Sequence, residues 1–215
     1  MNLGNVLIFG DSYSTYEGYI PDGYAIYYYN DARHNDEVHS VNETWWHRVI
    51  TETGSKLLLN DSWSGSAICH TGGGGSDCSE TSSFVCRFNK MKDSGFFEKN
   101  KVDTVFVFGG TNDAGVEAPL GEAQYDNFEK ADLFKVLPAI SYLLRSLKET
   151  LPEANIYCLI NDGYLGEVIT AGLKDSSEKF GAKAIALENI EKKNGHPTTA
   201  GMAEIARQVL EYICK

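Results

Sequence analysis

Hydrophobic residues along the chain fall into short unbroken runs separated by longer stretches with helical spacing. Residues 6–9 (VLIF), 56–60 (KLLLN), 102–108 (VDTVFVF), 155–160 (NIYCLI) and 182–187 (AKAIAL) are the short runs. The first stops at Gly10, the third at Gly109-Gly110 and the fourth at Asn161-Asp162-Gly163. Continuous apolar runs bounded by turn residues suit strands buried on both faces. From Asp132 onward, Leu133, Val136, Leu137, Ile140, Leu144 and Leu147 lie on one stripe of a 3.6-residue repeat. Pro138 inside that stripe predicts a kink or a break. Residues 168–180 read as a helix with Gly181 in the stop position. Residues 200–213 read as the last helix, and residues 43–53 as a shorter one ending at Gly54.

This alternation predicts an α/β fold with a central, mostly parallel five-stranded sheet covered on both faces, forming one domain over residues 1–215. Ligands in such sheets bind at the carboxyl ends of the strands. Two stretches stand outside the alternation. Residues 13–42 directly follow the first strand and carry Tyr13, Tyr16, Tyr19, Tyr24, Tyr27, Tyr28 and Tyr29. Residues 114–129 follow the third. Long loops in these places are expected to be lids or binding loops that wall a pocket.

Composition narrows the class. Hydrophobic residues make up 42% and charged residues 23%, which is globular rather than disordered. Lys and Arg number 19 against 30 Asp and Glu, a net charge of -11 that repels nucleic acid and anionic membrane surfaces. No apolar run approaches the ~20 residues that span a bilayer. No basic segment leads into an apolar stretch at the start, so a cytoplasmic location is expected, or secretion if a signal peptide has been removed. The five cysteines, Cys69, Cys78, Cys86, Cys158 and Cys214, lack CxxC spacing. They are expected to be reduced and buried rather than zinc ligands, with a bridge among the first three as the alternative.

Candidate chemistry sits where the strands end. Gly10-Asp11-Ser12 follows the first strand, and residues 60–66 (NDSWSGS) follow the second. Gly110-Thr111-Asn112-Asp113 follows the third, and His196-Pro197 precedes the last helix. Each alone is a common turn sequence. Together, in the order Ser, Gly, Asn, His, they resemble the SGNH hydrolases, the GDSL esterase and lipase family. Thr44-Trp45-Trp46 and Gly201 also match that pattern.

The resemblance implies a flavodoxin-like three-layer α/β/α sandwich and a serine esterase that needs no cofactor and no metal. It makes Ser12 the nucleophile and His196 the general base. The N–H groups of Ser12 and Gly65 and the side-chain amide of Asn112 become the oxyanion hole, since neutral preorganised donors stabilise the anion that forms under attack. The sequence departs from the family at Lys193, which stands where an aspartate normally precedes the histidine by three residues. A lysine side chain cannot accept the imidazole N–H. The backbone carbonyl near Lys193 is the preferred histidine orienter, with Glu191 as the rival and Glu188 and the Asn194 amide as further acceptors.

Other constellations carry bland readings. His34, Asp36, Glu37 and His39 read as solvated loop residues before they read as a metal site. Gly72–Gly75 lacks the Lys-Ser/Thr of a phosphate loop. Asp162 reads as a helix cap, and His70 is a distant rival for the base. The tyrosines are either loop packing or a stacking wall for sugars. The leading expectation is hydrolysis of short acyl esters, above all acetyl esters on carbohydrates, so the partner is a small-molecule or glycan ester. A non-catalytic glycan-binding protein is the first alternative, motivated by the missing acid. A thioesterase or lysophospholipase is the second. Oligomeric state is left open by the sequence.

Overall fold

The structure, a computed structural model, describes residues 1–31, 37–161 and 163–215. Strands β1 (Asn5–Gly10), β2 (Lys56–Ser62), β3 (Thr104–Phe108), β4 (Asn155–Ile160) and β5 (Lys183–Ala186) form one sheet in the order β2-β1-β3-β4-β5. Every neighbouring pair is parallel. The chain leaves β1 for β2 on one side and returns past β1 to β3 on the other. This reversal opens a crevice at the carboxyl ends of β1 and β3.

Successive strand residues face opposite sides of the sheet, and both sides are covered. Val6 and Ile8 share a core with Trp45, Trp46 and Val49 of α1 (Trp45–Thr53) and with Met202, Ile205 and Val209 of α7 (Thr199–Ile213). Leu7 and Phe9 pack into the opposite core. There they meet Phe84 and Phe88 of α2 (Phe84–Asp93), Ile140 and Leu144 of α5 (Val136–Thr150), and Ile169 and Leu173 of α6 (Gly166–Phe180). The result is the expected three-layer sandwich, and burial on both faces is why these strands carry no polar alternation.

The structure corrects the sequence reading in several places. A 3-10 turn over Asp132–Phe134 precedes α5, so Pro138 lies in that helix's first turn, where a missing N–H breaks no helical bond. The expected kink is a helix start. Three helices went unread: α2, α3 (Phe96–Lys99) and α4 (Thr111–Gly115). The buried face of α2 includes Arg87, and a charged residue in the apolar stripe hides the periodicity. A two-stranded antiparallel hairpin, β6 (Lys192–Lys193) and β7 (His196–Pro197), was also missed. The five cysteines are free thiols, in line with the favoured reading over the bridge, but Cys78 is only half-buried and Cys214 is exposed rather than buried. Among the described residues, no helix is long and apolar enough to cross a membrane.

Candidate active site

Ser12 opens a 3-10 turn immediately past β1. Asp11 caps that turn, its Oδ1 accepting the Tyr13 N–H at 3.0 Å. A Cβ at position 10 would lie 2.6 Å from Ser14 Cβ, so only glycine lets the turn fold back against the end of β2. Beneath the turn lies the buried Arg87. Its Nη1 pairs with Asp61 Oδ2 at 2.6 Å, and its Nη2 donates to the Gly10 carbonyl at 3.1 Å and to Ser66 Oγ at 3.2 Å. One guanidinium thus ties together the ends of β1 and β2 and the loop that follows β2.

That loop holds the second group of candidates. Trp63 donates its N–H to the Gly10 carbonyl, and Ser66 N–H returns to the Trp63 carbonyl at 3.1 Å. Gly65, with φ +80°, occupies the third position of this turn, which is closed to most L side chains. Asn112, in the first turn of α4, donates its side-chain amide to the Ser66 carbonyl at 3.0 Å. One amide hydrogen is used there and the other remains to be directed elsewhere. Asp113 is buried and accepts the N–H groups of Ile68 and Cys69 at 2.8 and 3.1 Å, locking the same loop from the opposite side.

His196 arrives from the far end of the chain, and its Nε2 lies 3.0 Å from Ser12 Oγ. Its Nδ1 lies 3.1 Å from the main-chain carbonyl of Asn194. Because a carbonyl only accepts, Nδ1 carries the proton and Nε2 accepts from the serine hydroxyl. The expected orienters are therefore corrected. The acceptor is the carbonyl of Asn194 rather than that of Lys193, and Glu191 accepts from Thr198 Oγ1 at 2.6 Å instead. The physical reason is the hairpin. Asn194 and Gly195 form its two-residue loop, with φ of 52° and 77°, the positive pair of a type I′ turn. This turn aims the Asn194 carbonyl back at the imidazole. The Lys193 ammonium is half exposed and pairs with Glu37 at 3.3 Å.

The tyrosine-rich stretch contributes most of what surrounds the histidine. Tyr13 Oη donates to the Gly195 carbonyl at 2.6 Å and Tyr28 Oη to the Pro197 carbonyl at 2.8 Å. The Tyr27 ring stacks on the imidazole with centroids 3.5 Å apart and planes 9° from parallel. Tyr13 meets the imidazole with its edge, at 5.5 Å. Sequence reasoning assigned these tyrosines to packing or to a sugar wall. The Asn-Gly pair was the one local signal for the hairpin, and nothing local signalled Arg87 or the tyrosine contacts.

Burial lowers the proton affinity of His196 below the usual histidine range, partly offset by the bond to Asn194. Burial thus favours the neutral ring, and the Nδ1 bond to a carbonyl leaves Nε2 as its unprotonated nitrogen. Burial also pushes the Asp11 carboxyl up to about 7, and its Oδ2 has no hydrogen-bond partner among the described residues. His70, the distant rival, bonds Ser83 Oγ at 2.8 Å. Of the weighed metal cluster, His34 and Asp36 lie outside the described residues, as does Asp162. Among the described residues, no group of three or more His, Cys, Asp or Glu side chains is placed to hold a metal ion.

The bonded pair of Ser12 and His196 thus lies at the reversal point of a parallel sheet, where such folds bind ligands. The GDSL-like lipase/acylhydrolase family model matches residues 4–213, and the chain belongs to that family of ester hydrolases. Two solved structures described as GDSL-like lipases are similar over nearly the whole chain. The one from Bacteroides ovatus is 37% identical with a TM-score of 0.91, covering 99% of this chain and 98% of its own. The one from Bacteroides uniformis is 39% identical with a TM-score of 0.88, covering 98% and 95%. A family two carbohydrate esterase from Clostridium thermocellum shares the fold at 16% identity, with a TM-score of 0.65 over 98% of this chain and 63% of its own. No curated protein matches the chain significantly.

Proposed function

We propose that the chain is a serine esterase that hydrolyses short acyl esters, foremost acetyl groups on carbohydrates. The observation that carries this reading is the 3.0 Å bond from Ser12 Oγ to His196 Nε2. Ser12 Oγ attacks the ester carbonyl carbon as its proton passes to Nε2. The carbonyl oxygen becomes an anion facing the N–H groups of Ser12 and Gly65 and the second amide hydrogen of Asn112. Collapse expels the alcohol, which takes the proton from Nε2. Water then repeats the sequence on the acyl-serine and releases the acid.

The glycan preference draws on three features. The chain has a net charge of -11, which disfavours anionic lipid surfaces. Tyr24 packs on Trp63, two residues before Gly65, with ring centroids 4.3 Å apart, and aromatic surface of this kind suits sugar C–H faces. A structural neighbour from Sinorhizobium meliloti is described as a carbohydrate acetylesterase. One observation favours a second reading with a longer acyl group, as in a thioesterase or lysophospholipase. A cavity of about 500 Å³ beside α4 is lined by Leu120, Tyr164, Leu165 and Val168, with Glu117 and Glu167 also in its wall. An ester panel of rising acyl length, run beside acetylated sugars, separates the two. Highest kcat/KM on acetyl sugars supports the first reading, and a maximum at long chains supports the second. Fluorophosphonate capture at Ser12, absent in Ser12→Ala, supports catalysis, whereas absence of capture in the parent protein means a binding module instead.

A further inference from the structure

On the reading above, the histidine of this site forms an imidazolium during acyl transfer, yet among the described residues no carboxylate is bonded to its Nδ1. The Asn194 carbonyl fixes tautomer and orientation but brings no full negative charge. The Tyr27 ring lies face-on against the imidazole, nearly parallel and 3.5 Å away. A cation over an aromatic face is attracted by the ring quadrupole, and the attraction grows when water is excluded. The neutral ring gains much less from the same contact. Tyr27 is also firmly placed, since its N–H donates to Thr15 Oγ1 at 3.0 Å and its ring meets the edge of Tyr28 at 4.9 Å.

We propose that Tyr27 is a positioning residue whose ring face stabilises the His196 imidazolium and so supplies part of what the absent acid would supply. This rests on the reading of His196 as the general base. Among the described residues, the groups facing the imidazole are Ser12 Oγ, the Tyr13 edge, the Tyr27 face and the Asn194 carbonyl. Charges on the neighbouring elements are engaged or set back: Lys193 pairs with Glu37, Glu191 is held by Thr198, and Asp11 is buried behind the serine turn. The tyrosine face is thus the contact best placed to favour the charged ring over the neutral one. A contact that favours the charged ring is stronger in the transition state than in the ground state, so it raises kcat rather than lowering KM.

The test compares Tyr27→Phe with Tyr27→Leu, which keeps apolar bulk over the ring but removes the π face. The His196 pKa is read directly by NMR titration of its ring protons, and the acid limb of kcat/KM is read in parallel. The expected result is that Phe keeps the parent values. Leu should lower the pKa by about 0.5–1 unit and kcat by about 3–10-fold with KM unchanged. Loss of burial alone would move the pKa upward, so the sign separates the two effects. An unchanged or raised pKa in Tyr27→Leu, with the fold intact by circular dichroism, overturns the proposal. A lowered pKa without a matching move of the acid limb overturns it differently, because His196 is then not the base.

Discussion

The two halves of the site are built by opposite means. The serine half grows out of the sheet: Ser12 follows β1 directly, and Gly10, Asp61 and Ser66 are stitched together by the buried Arg87. The histidine half stands on a two-residue turn between two-residue strands, with Asn194 and Gly195 exposed. Tyrosines from nearly the other end of the chain hold it in place. A group on a buried strand end inherits rigidity from the core. A group on a small hairpin must be given it by side chains that reach across. This comparison also revises the role expected for the tyrosine-rich stretch. Its Tyr13, Tyr27 and Tyr28 bear on His196 and its hairpin, so shortening that stretch should reduce activity on all esters rather than only shift preference.

Perturbing each half should produce a different kind of damage. Arg87→Met removes a buried cation and strands the Asp61 carboxylate, so the serine half should fail as folding. Leaving one member of a buried ion pair alone costs about 3–5 kcal/mol, to be read from urea unfolding. Asn112→Ala leaves the Ser66 carbonyl without its amide partner and should cost about 1 kcal/mol, and, on the proposed oxyanion role, it should lower kcat by about 10²–10³-fold with little change in KM. A raised KM with kcat intact would make Asn112 a substrate-binding residue. Tyr13→Phe and Tyr28→Phe each leave a main-chain carbonyl of the histidine segment without its hydroxyl partner. Each should cost about 1 kcal/mol of local order and lower kcat several-fold, with both effects smaller than for Arg87→Met.

How much of this was legible follows the same division. The strands and the serine, glycine and asparagine positions were readable because each belongs to a contiguous segment whose pattern is local. Boundaries shifted by a residue or two where caps such as Thr44 and Thr198 stop the helices. Helix α2 was hidden because its buried Arg87 breaks the apolar period that reveals a helix. The histidine's environment was unreadable for another reason. Tyr13 and Gly195 are 182 residues apart, and Tyr28 and Pro197 are 169 apart, so no window of sequence contains both partners. Lys193 signals that the usual aspartate position carries no carboxylate. The Asn194-Gly195 pair, read as a type I′ turn, would have identified the carbonyl that replaces it.

With the Asn194 carbonyl on its Nδ1, His196 is expected to work without a carboxylate partner. The most direct test is kcat/KM of the double variant Glu188→Gln/Glu191→Gln on a small activated ester. Glutamine at 191 still accepts from Thr198, so the helix cap and hairpin should survive. The account predicts kcat/KM within about threefold of the parent, because neither carboxylate orients the imidazole. A fall approaching about 10⁴-fold, the loss seen when a true triad acid is neutralised, would contradict it and show that a displaced carboxylate completes the triad.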